Sequence, residues 1–411
     1  MTRPRLEVAD IFRQHGEAFL DRFGHVISHE QRRVLHDITV CRTAALGGHV
    51  EQCDQCGHEQ VAYNSCRNRH CPKCQAAAAA EWVEAREAEL LPVDQYFHLV
   101  FTLPAALGPI ALQNPGVVYG LLFRAAAETL QQVAADPMHL GAEIGFLAIL
   151  HTWGQNLQHH PHVHCVIPGG GISLDASQWV ACRPGFFLPV RILSRVFRGK
   201  FLSLLRTAFD RGRLAFHGKL SPLADPTEFQ RRLAASARTE WVVYAKPPHG
   251  GPQQVLKYLA RYTHRVAINN HRLIAMEDAA VTFRWKDYVH GGKRKTMTLK
   301  AAEFIRRFLL HVLPTRFVRI RHYGFLANRM CWEKLQLCRR LLAAVTPPEP
   351  VVVGPASEPE GTIEGKPVAH ICPVCGEGRM VIVEVLKAIP AERQGRVRQE
   401  PALERAECDS S

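Results

Sequence analysis

The sequence predicts an α+β fold, with a central, mainly antiparallel sheet flanked by helices and preceded by a small helical domain rich in cysteine. Short aromatic and β-branched runs, such as YFHLVFTLP (Tyr96 to Pro104) and GFLAILHTWG (Gly145 to Gly154), read as strands. They interleave with runs of helical period but without the regular strand–helix–strand beat of a parallel sheet. Between Gly47 and Gln75 the periodicity breaks into closely spaced cysteines, which marks a separate small module.

The elements follow in order. Val8, Ile11, Phe12, Phe19 and Phe23 recur at helical spacing, and Ser28 with Gln31 forms a capping box that starts a second helix. After the cysteines, AAAAAEWVEAREAELL is built from strong helix formers. Tyr96 to Pro104 is a strand, and a helix begins at Pro115 with Asn114 as its cap. GFLAILHTWG, HPHVHCVIPG and TEWVVYAKPP read as three strands, QQVLKYLARYTHRVAI as a helix, and HRLIAMEDAAVTFRWKDY as a strand pair. KAAEFIRRFLLHVLP is a late helix, and the Pro-, Glu- and Gly-rich stretch from Thr346 to Pro367 reads as a linker. The expected domains are 1–92, helical with the cysteine module; 93–345, carrying the sheet; and 346–411, linker and tail.

At 411 residues, 47% of them hydrophobic, the chain can fill a sizeable core. No run of about 18 apolar residues is present, and MTRPRLEVADIFRQ lacks the pattern of a signal peptide, so a bacterial cytoplasmic setting is expected. The 13 cysteines would be reduced there, which turns clustered ones into candidate metal ligands and isolated ones, such as Cys165 and Cys182, into small core residues. A formal charge of +13 favours a polyanionic partner, because Lys and Arg that neutralise phosphates release counterions.

Cys53 and Cys56, then Cys71 and Cys74, give C-x2-C-x14-C-x2-C, close to the spacing of a four-thiolate structural zinc. Cys66 and His70 are spare ligands, and Arg67, Arg69 and Lys73 are candidate DNA contacts. Cys372 and Cys375 in HICPVCGEG supply half a second site, which His370, Cys408 or another chain would have to complete.

The segment HTWGQNLQHHPHVHCVIPGGG, His151 to Gly171, holds five of the 22 histidines. Strand alternation puts His162 and His164 on one face and Val163, Cys165 and Ile167 on the other. An adjacent antiparallel strand would bring His151 beside the pair, and three imidazoles on one side of an ion leave its other positions open for substrate. His159 and His160 read as turn residues without a ligand role.

In VLKYLARYTHRVAI, Tyr258 and Tyr262 are four residues apart and share a helix face. Tyr262 falls near the apolar stripe of Val255, Leu259 and Val266, while Tyr258 lies at its edge beside Arg265, which makes Tyr258 the better nucleophile on geometry. Lys257, Arg261 and Arg265 occupy the neighbouring polar arc as candidate DNA-binding residues. A phenol with a pKa of about 10 is a poor nucleophile until a metal or cation lowers the cost of the phenolate.

Together these residues resemble the HUH endonuclease superfamily and, more closely, the insertion sequence 91 family of rolling-circle transposases. The resemblance rests on NSCRNRHCPKCQ, HTWGQNLQHHPHVHCVIPGGG, YLARYTHRVAI and RIRHYGFLANR, in that order, over about residues 5 to 340. It implies an N-terminal zinc-binding domain followed by a catalytic domain with an HUH endonuclease-like antiparallel sheet. His162 and His164 would be its metal pair and Tyr258 and Tyr262 its two tyrosines. His151 as a third ligand follows from a similar histidine spacing in conjugative relaxases.

The reaction implied is metal-dependent cleavage of single-stranded DNA at transposon ends and target. One tyrosine becomes linked to the five-prime phosphate and frees a three-prime hydroxyl, and the second allows strand transfer. The implied ions are structural Zn2+ and a catalytic Mg2+ or Mn2+, and the implied location is the bacterial nucleoid. Two other readings stand beside it: a plasmid replication initiator or relaxase with the same chemistry, and a zinc-dependent DNA-binding protein with no catalytic role.

Overall fold

The computed structural model describes residues 5–75, 89–250, 255, 266–287, 291–327, 331–345 and 370–389. Its strands in chain order are β1 (Gly48–Cys53), β2 (Glu59–Tyr63), β3 (Gln95–Thr102), β4 (Ala142–Glu143), β5 (Phe146–Trp153), β6 (His159–Pro168) and β7 (Gly170–Ser173). There follow β8 (Trp179–Ala181), β9 (Val243–Gly250), β10 (Leu273–Glu277), β11 (Ala280–Asp287), β12 (Lys293–Lys300), β13 (Ile320–Tyr323) and β14 (Met380–Leu386). The chain forms two compact units, Met1–Leu35 with Asn68–Ala356, and His36–Arg67 with Ser357–Ser411.

The larger unit is built on a five-stranded sheet of order β13-β5-β6-β3-β9, antiparallel at every step. The α+β class expected from the interleaved pattern is what the chain adopts. One face of the sheet carries Phe97, Leu99, Phe101, Val163, Cys165 and Ile167 into the main core, against the helices Pro115–Ala135 and Val190–Asp210. The opposite face carries Leu147, Ile149 and Val166 into a second cluster with Val255, Phe325, and Leu335 and Cys338 of the helix Cys331–Val345. Beyond that cluster the same face carries the histidines.

Phe101 is fully buried on β3, its ring set edge-on to Phe197 at 5.1 Å. Phe101→Ala is expected to destabilise the larger unit by about 3–5 kcal/mol, the cost of emptying an aromatic site in a packed core. Urea unfolding checks this, and a loss below about 1 kcal/mol would mean that the site collapses freely.

Local signals placed the first helices well. Val8, Ile11, Phe12 and Phe19 are buried along Val8–Phe23, and Phe12 meets Phe308 edge-on at 5.3 Å. The capping box forms: Ser28 N–H donates to Gln31 Oε1 at 2.8 Å, and Gln31 N–H donates to Ser28 Oγ at 3.2 Å. Asn114 stands at the cap position of Pro115–Ala135, but its side chain makes no cap bond. Instead its Oδ1 accepts from Ala215 N–H at 2.7 Å and its Nδ2 donates to Ala215 O at 2.9 Å, so tertiary pairing takes the amide away from the helix end.

The smaller unit contains the sheet β14-β1-β2, with β1 antiparallel to both neighbours. Here the cysteine grouping read from spacing is corrected. The Sγ atoms of Cys53 and Cys56 gather with those of Cys372 and Cys375, all within 4.8 Å of one another. A tetrahedral site takes four ligands, so Cys71 and Cys74 have no place in it. The tail pair stands with Cys53 and Cys56 and not with His370, while Cys408 lies outside the described residues. Cys71 and Cys74 are buried in the larger unit, before and within helical residues 72–75.

Two of the basic residues near them serve the fold. Arg69 donates to Phe317 O at 2.6 Å and Pro314 O at 2.7 Å, and Lys73 pairs with Glu7 at 2.5 Å with both side chains largely buried. His70, read as a spare ligand, accepts the N–H of Leu313 at Nε2, 3.4 Å away. Among the described residues no helix is long and apolar enough to cross a membrane.

Candidate metal centre

β5 and β6 set the geometry of the histidine cluster through register. His151 is paired directly opposite His162, and His164 lies two residues further along β6, opposite Ile149. Alternation then brings all three rings to one face. Ring centroids are 5.6 Å apart for His151 and His162, 4.4 Å for His151 and His164, and 4.8 Å for His162 and His164. Their ligand nitrogens lie within 4.8 Å of one another, and no carboxylate joins the cluster among the described residues.

Neighbours fix each ring. His162 Nδ1 lies 2.7 Å from His160 O, so Nδ1 carries the proton and donates, and Nε2 is the nitrogen that could take a metal. A register shift separates His151 from Trp153, which pairs with His159; β6 thus spends three residues where β5 spends two, and the His160 carbonyl lies within this irregular stretch. His151 is buried and stacks on Trp153 at 4.6 Å with the planes 20° apart. His164 Nδ1 lies 2.7 Å from His98 Nε2, and the two rings stack at 4.9 Å.

His98 is a residue that sequence reasoning missed. It is fully buried on β3, on the same face as His164, because β3 pairs Val100 with His164. The signal was an imidazole at one inward position of the otherwise apolar run YFHLVF, but its partner lies 66 residues away. Burial above all, and then the charges that His151, His162, His98 and Lys246 would add, holds the His164 imidazole well below its ordinary pKa. It is therefore neutral at physiological pH, the form in which imidazole ligates a metal.

The other two histidines of the segment are corrected. His159 and His160 open β6 instead of forming a turn. His159 Nε2 lies 2.8 Å from the Tyr119 hydroxyl, and burial pulls its pKa down to about 4. Neither is among the three histidines whose ligand nitrogens gather.

Tyr258 and Tyr262, with Lys257, Arg261 and Arg265, lie outside the described residues. The positions flanking them do not: Val255, helical and fully buried, belongs to the apolar cluster on the histidine-bearing face, and Val266 is buried too. Two further stretches, RFVRIRHY (Arg316 to Tyr323) and GGKRKTMTLK (Gly291 to Lys300), are rich in Lys and Arg; in the first, Arg319 is buried and Arg321 packs over the Phe123 ring at 4.3 Å. GGKRKTMTLK differs: it forms β12, the edge of the sheet β10-β11-β12, with Lys293, Arg294 and Lys300 exposed, and Lys295 paired with Asp287 at 2.7 Å.

Comparison with known proteins places the chain among transposases. Residues 145–334 match a family described as "Putative transposase", and residues 11–103 match a "Transposase zinc-binding domain". The chain is 58% identical over 392 residues to "Putative transposase y4qJ" of Sinorhizobium fredii, covering 95% of this chain and 98% of that one. It is 28% identical over 313 residues to "Transposase for insertion sequence element IS801" of Pseudomonas savastanoi pv. phaseolicola, covering 75% and 73%. No solved structure matches. The zinc-binding match and the thiol cluster of the smaller unit together suggest structural zinc.

Proposed function

We propose, for a chain that belongs to the insertion sequence 91 family of transposases, that it cleaves and rejoins single-stranded DNA through tyrosine at the histidine cluster. The observation that carries this reading is the convergence of His151, His162 and His164, with their ligand nitrogens within 4.8 Å of one another. Relatives named as a putative transposase and as a transposase of an insertion sequence favour transposition over plasmid replication or conjugative transfer.

The donor set fits a divalent ion. His162 and His164 each have Nδ1 engaged by a neighbour, so their Nε2 atoms serve as ligands with His151. Mg2+ or Mn2+ held by three neutral imidazoles would keep its full charge and polarise a phosphate oxygen. The chain supplies the rest. Tyr258 or Tyr262 attacks the phosphorus through its phenolate oxygen; a tyrosine–phosphate ester forms, the bond to the three-prime oxygen breaks, and that oxygen leaves as a hydroxyl with a proton. The second tyrosine repeats the attack on another strand, and the three-prime hydroxyl reverses the ester to join strands, so no external energy is needed. Exposed Lys293, Arg294 and Lys300 on β12 suit the phosphate backbone.

The test incubates purified protein with Mn2+ and labelled single-stranded DNA carrying element ends. A protein–DNA adduct that survives denaturation is expected, formed only with the ion present; its absence under all metals would refute the reading.

His98 is the positioning residue of the site, acting through His164. His98→Ala is expected to weaken Mn2+ binding about 10–100-fold, the usual cost of losing the partner that orients a ligating histidine. Electron paramagnetic resonance of free Mn2+ measures this, with DNA affinity unchanged as the control. Unaltered Mn2+ affinity would remove His98 from the site.

A further inference from the structure

The geometry points to one structural zinc ion clasped by two segments far apart in sequence, held by Cys53 at the end of β1, Cys56 in the turn that follows, and Cys372 and Cys375 ahead of β14. Cys53 Sγ lies 3.7 Å from Cys375 Sγ, and Cys56 Sγ lies 3.6 Å from Cys372 Sγ. Zinc–thiolate bonds of about 2.3 Å in a tetrahedron place sulfurs about 3.8 Å apart, so these two pairs already stand near the separation such an ion imposes, with all four sulfurs within 4.8 Å of one another. They are far too distant for disulfides, whose sulfurs are about 2.05 Å apart.

The two halves repeat one turn. In CDQCG, the Gly57 N–H donates to Cys53 O at 3.1 Å; in CPVCG, the Gly376 N–H donates to Cys372 O at 3.0 Å. Both glycines have φ of +73°, a conformation that side chains other than glycine rarely adopt. Backbone N–H groups point at the sulfurs: Cys56 N–H at Cys53 Sγ (3.5 Å), Val374 N–H at Cys372 Sγ (3.4 Å) and Gly378 N–H at Cys375 Sγ (3.3 Å). Such donors stabilise thiolates, the form that binds metal. A Cβ on Gly378 would collide with Cys53 Sγ, so the tail passes at the closest approach that a backbone allows.

Packing gives a second, independent argument. Among the described residues, the buried apolar cluster around the four thiols is Cys53, Cys372 and Met380, with Cys375 against it. β14 pairs with β1 from Gly48 opposite Leu386 to Cys53 opposite Met380, yet Val381, Ile382, Val383 and Val385 are about half exposed or more. So small a cluster gives this end of the β14–β1 pairing little support, whereas the binding energy of a closed zinc site is itself folding energy. Four protein ligands leave no open position, which makes the ion structural and not catalytic. The matched zinc-binding segment, residues 11–103, contains only two of the four ligands, and the other two come from the opposite end of the sequence.

The test does not depend on the DNA-cleavage reading. Zinc per chain is measured by mass spectrometry on full-length protein. Cys372→Ser plus Cys375→Ser should lose one ion, Cys53→Ser plus Cys56→Ser should lose the same one, and the fourfold variant should lose no more. Undiminished zinc in the tail variant, or a double loss in the fourfold one, would overturn the site. A second measurement needs no variant: in the zinc-loaded protein, Cys56, Cys372 and Cys375 should alkylate at least about tenfold more slowly than after chelation, because bound thiolates are poor nucleophiles. Equal rates before and after chelation would overturn it as well.

Discussion

His162→Ala combined with His164→Ala is expected to reduce single-strand cleavage by about 10³-fold or more while leaving DNA binding within a few-fold of wild type. A metal that polarises a phosphate contributes several kcal/mol to the transition state, and each ~1.4 kcal/mol is a factor of ten. Binding should survive because it rests on phosphate neutralisation by Lys and Arg elsewhere, including exposed Lys293 and Arg294 on β12. The sheet should survive too, since β6 is anchored from its other face by Val163, Cys165 and Ile167. Cleavage assays and gel-shift titrations separate the two effects. Full cleavage by the double variant would remove the histidines from the mechanism.

Tyr258→Phe combined with Tyr262→Phe is expected to eliminate the covalent adduct, lowering its formation about 10⁴-fold or more, the scale on which deleting a nucleophile acts. Phenylalanine keeps the ring and its packing but has no oxygen to form the phosphate ester. Mn2+ affinity should not change, because the proposed ligands stand on β5 and β6. Tyr258→Phe alone should be the more severe of the single changes, as Tyr262 falls nearer the apolar stripe that buried Val255 and Val266 belong to. Adduct formation by the double variant at the wild-type rate would mean that another residue attacks.

How much of this was legible in the sequence depends on the range of the interaction concerned. Strand alternation is local, so the division of HPHVHCVIP into an imidazole face and an apolar face could be read directly, and Val163, Cys165 and Ile167 lie in the core as that division requires. His151 needed the register of a neighbouring strand, which a short connection makes a reasonable guess and β5–β6 pairing supplies. His98 needed the pairing of β3 with β6, for which nothing local gives a sign.

The cysteines failed in the instructive direction. CDQCG and CPKCQ are close in sequence, and spacing rules join what is close. The chain instead joins Cys53 to Cys375 across 322 residues, because β14 adds to β1 and carries the second pair with it. Asn114 failed for a related reason: its side chain could cap a helix or pair with Ala215, and only the tertiary partner decides.

The most direct measurement is peptide mapping of the trapped wild-type adduct by mass spectrometry. A nucleotide attached through its five-prime phosphate to Tyr258 or Tyr262, on a reaction that requires the divalent ion, is the expected result. Attachment at any other residue, or through a three-prime phosphate, would contradict it.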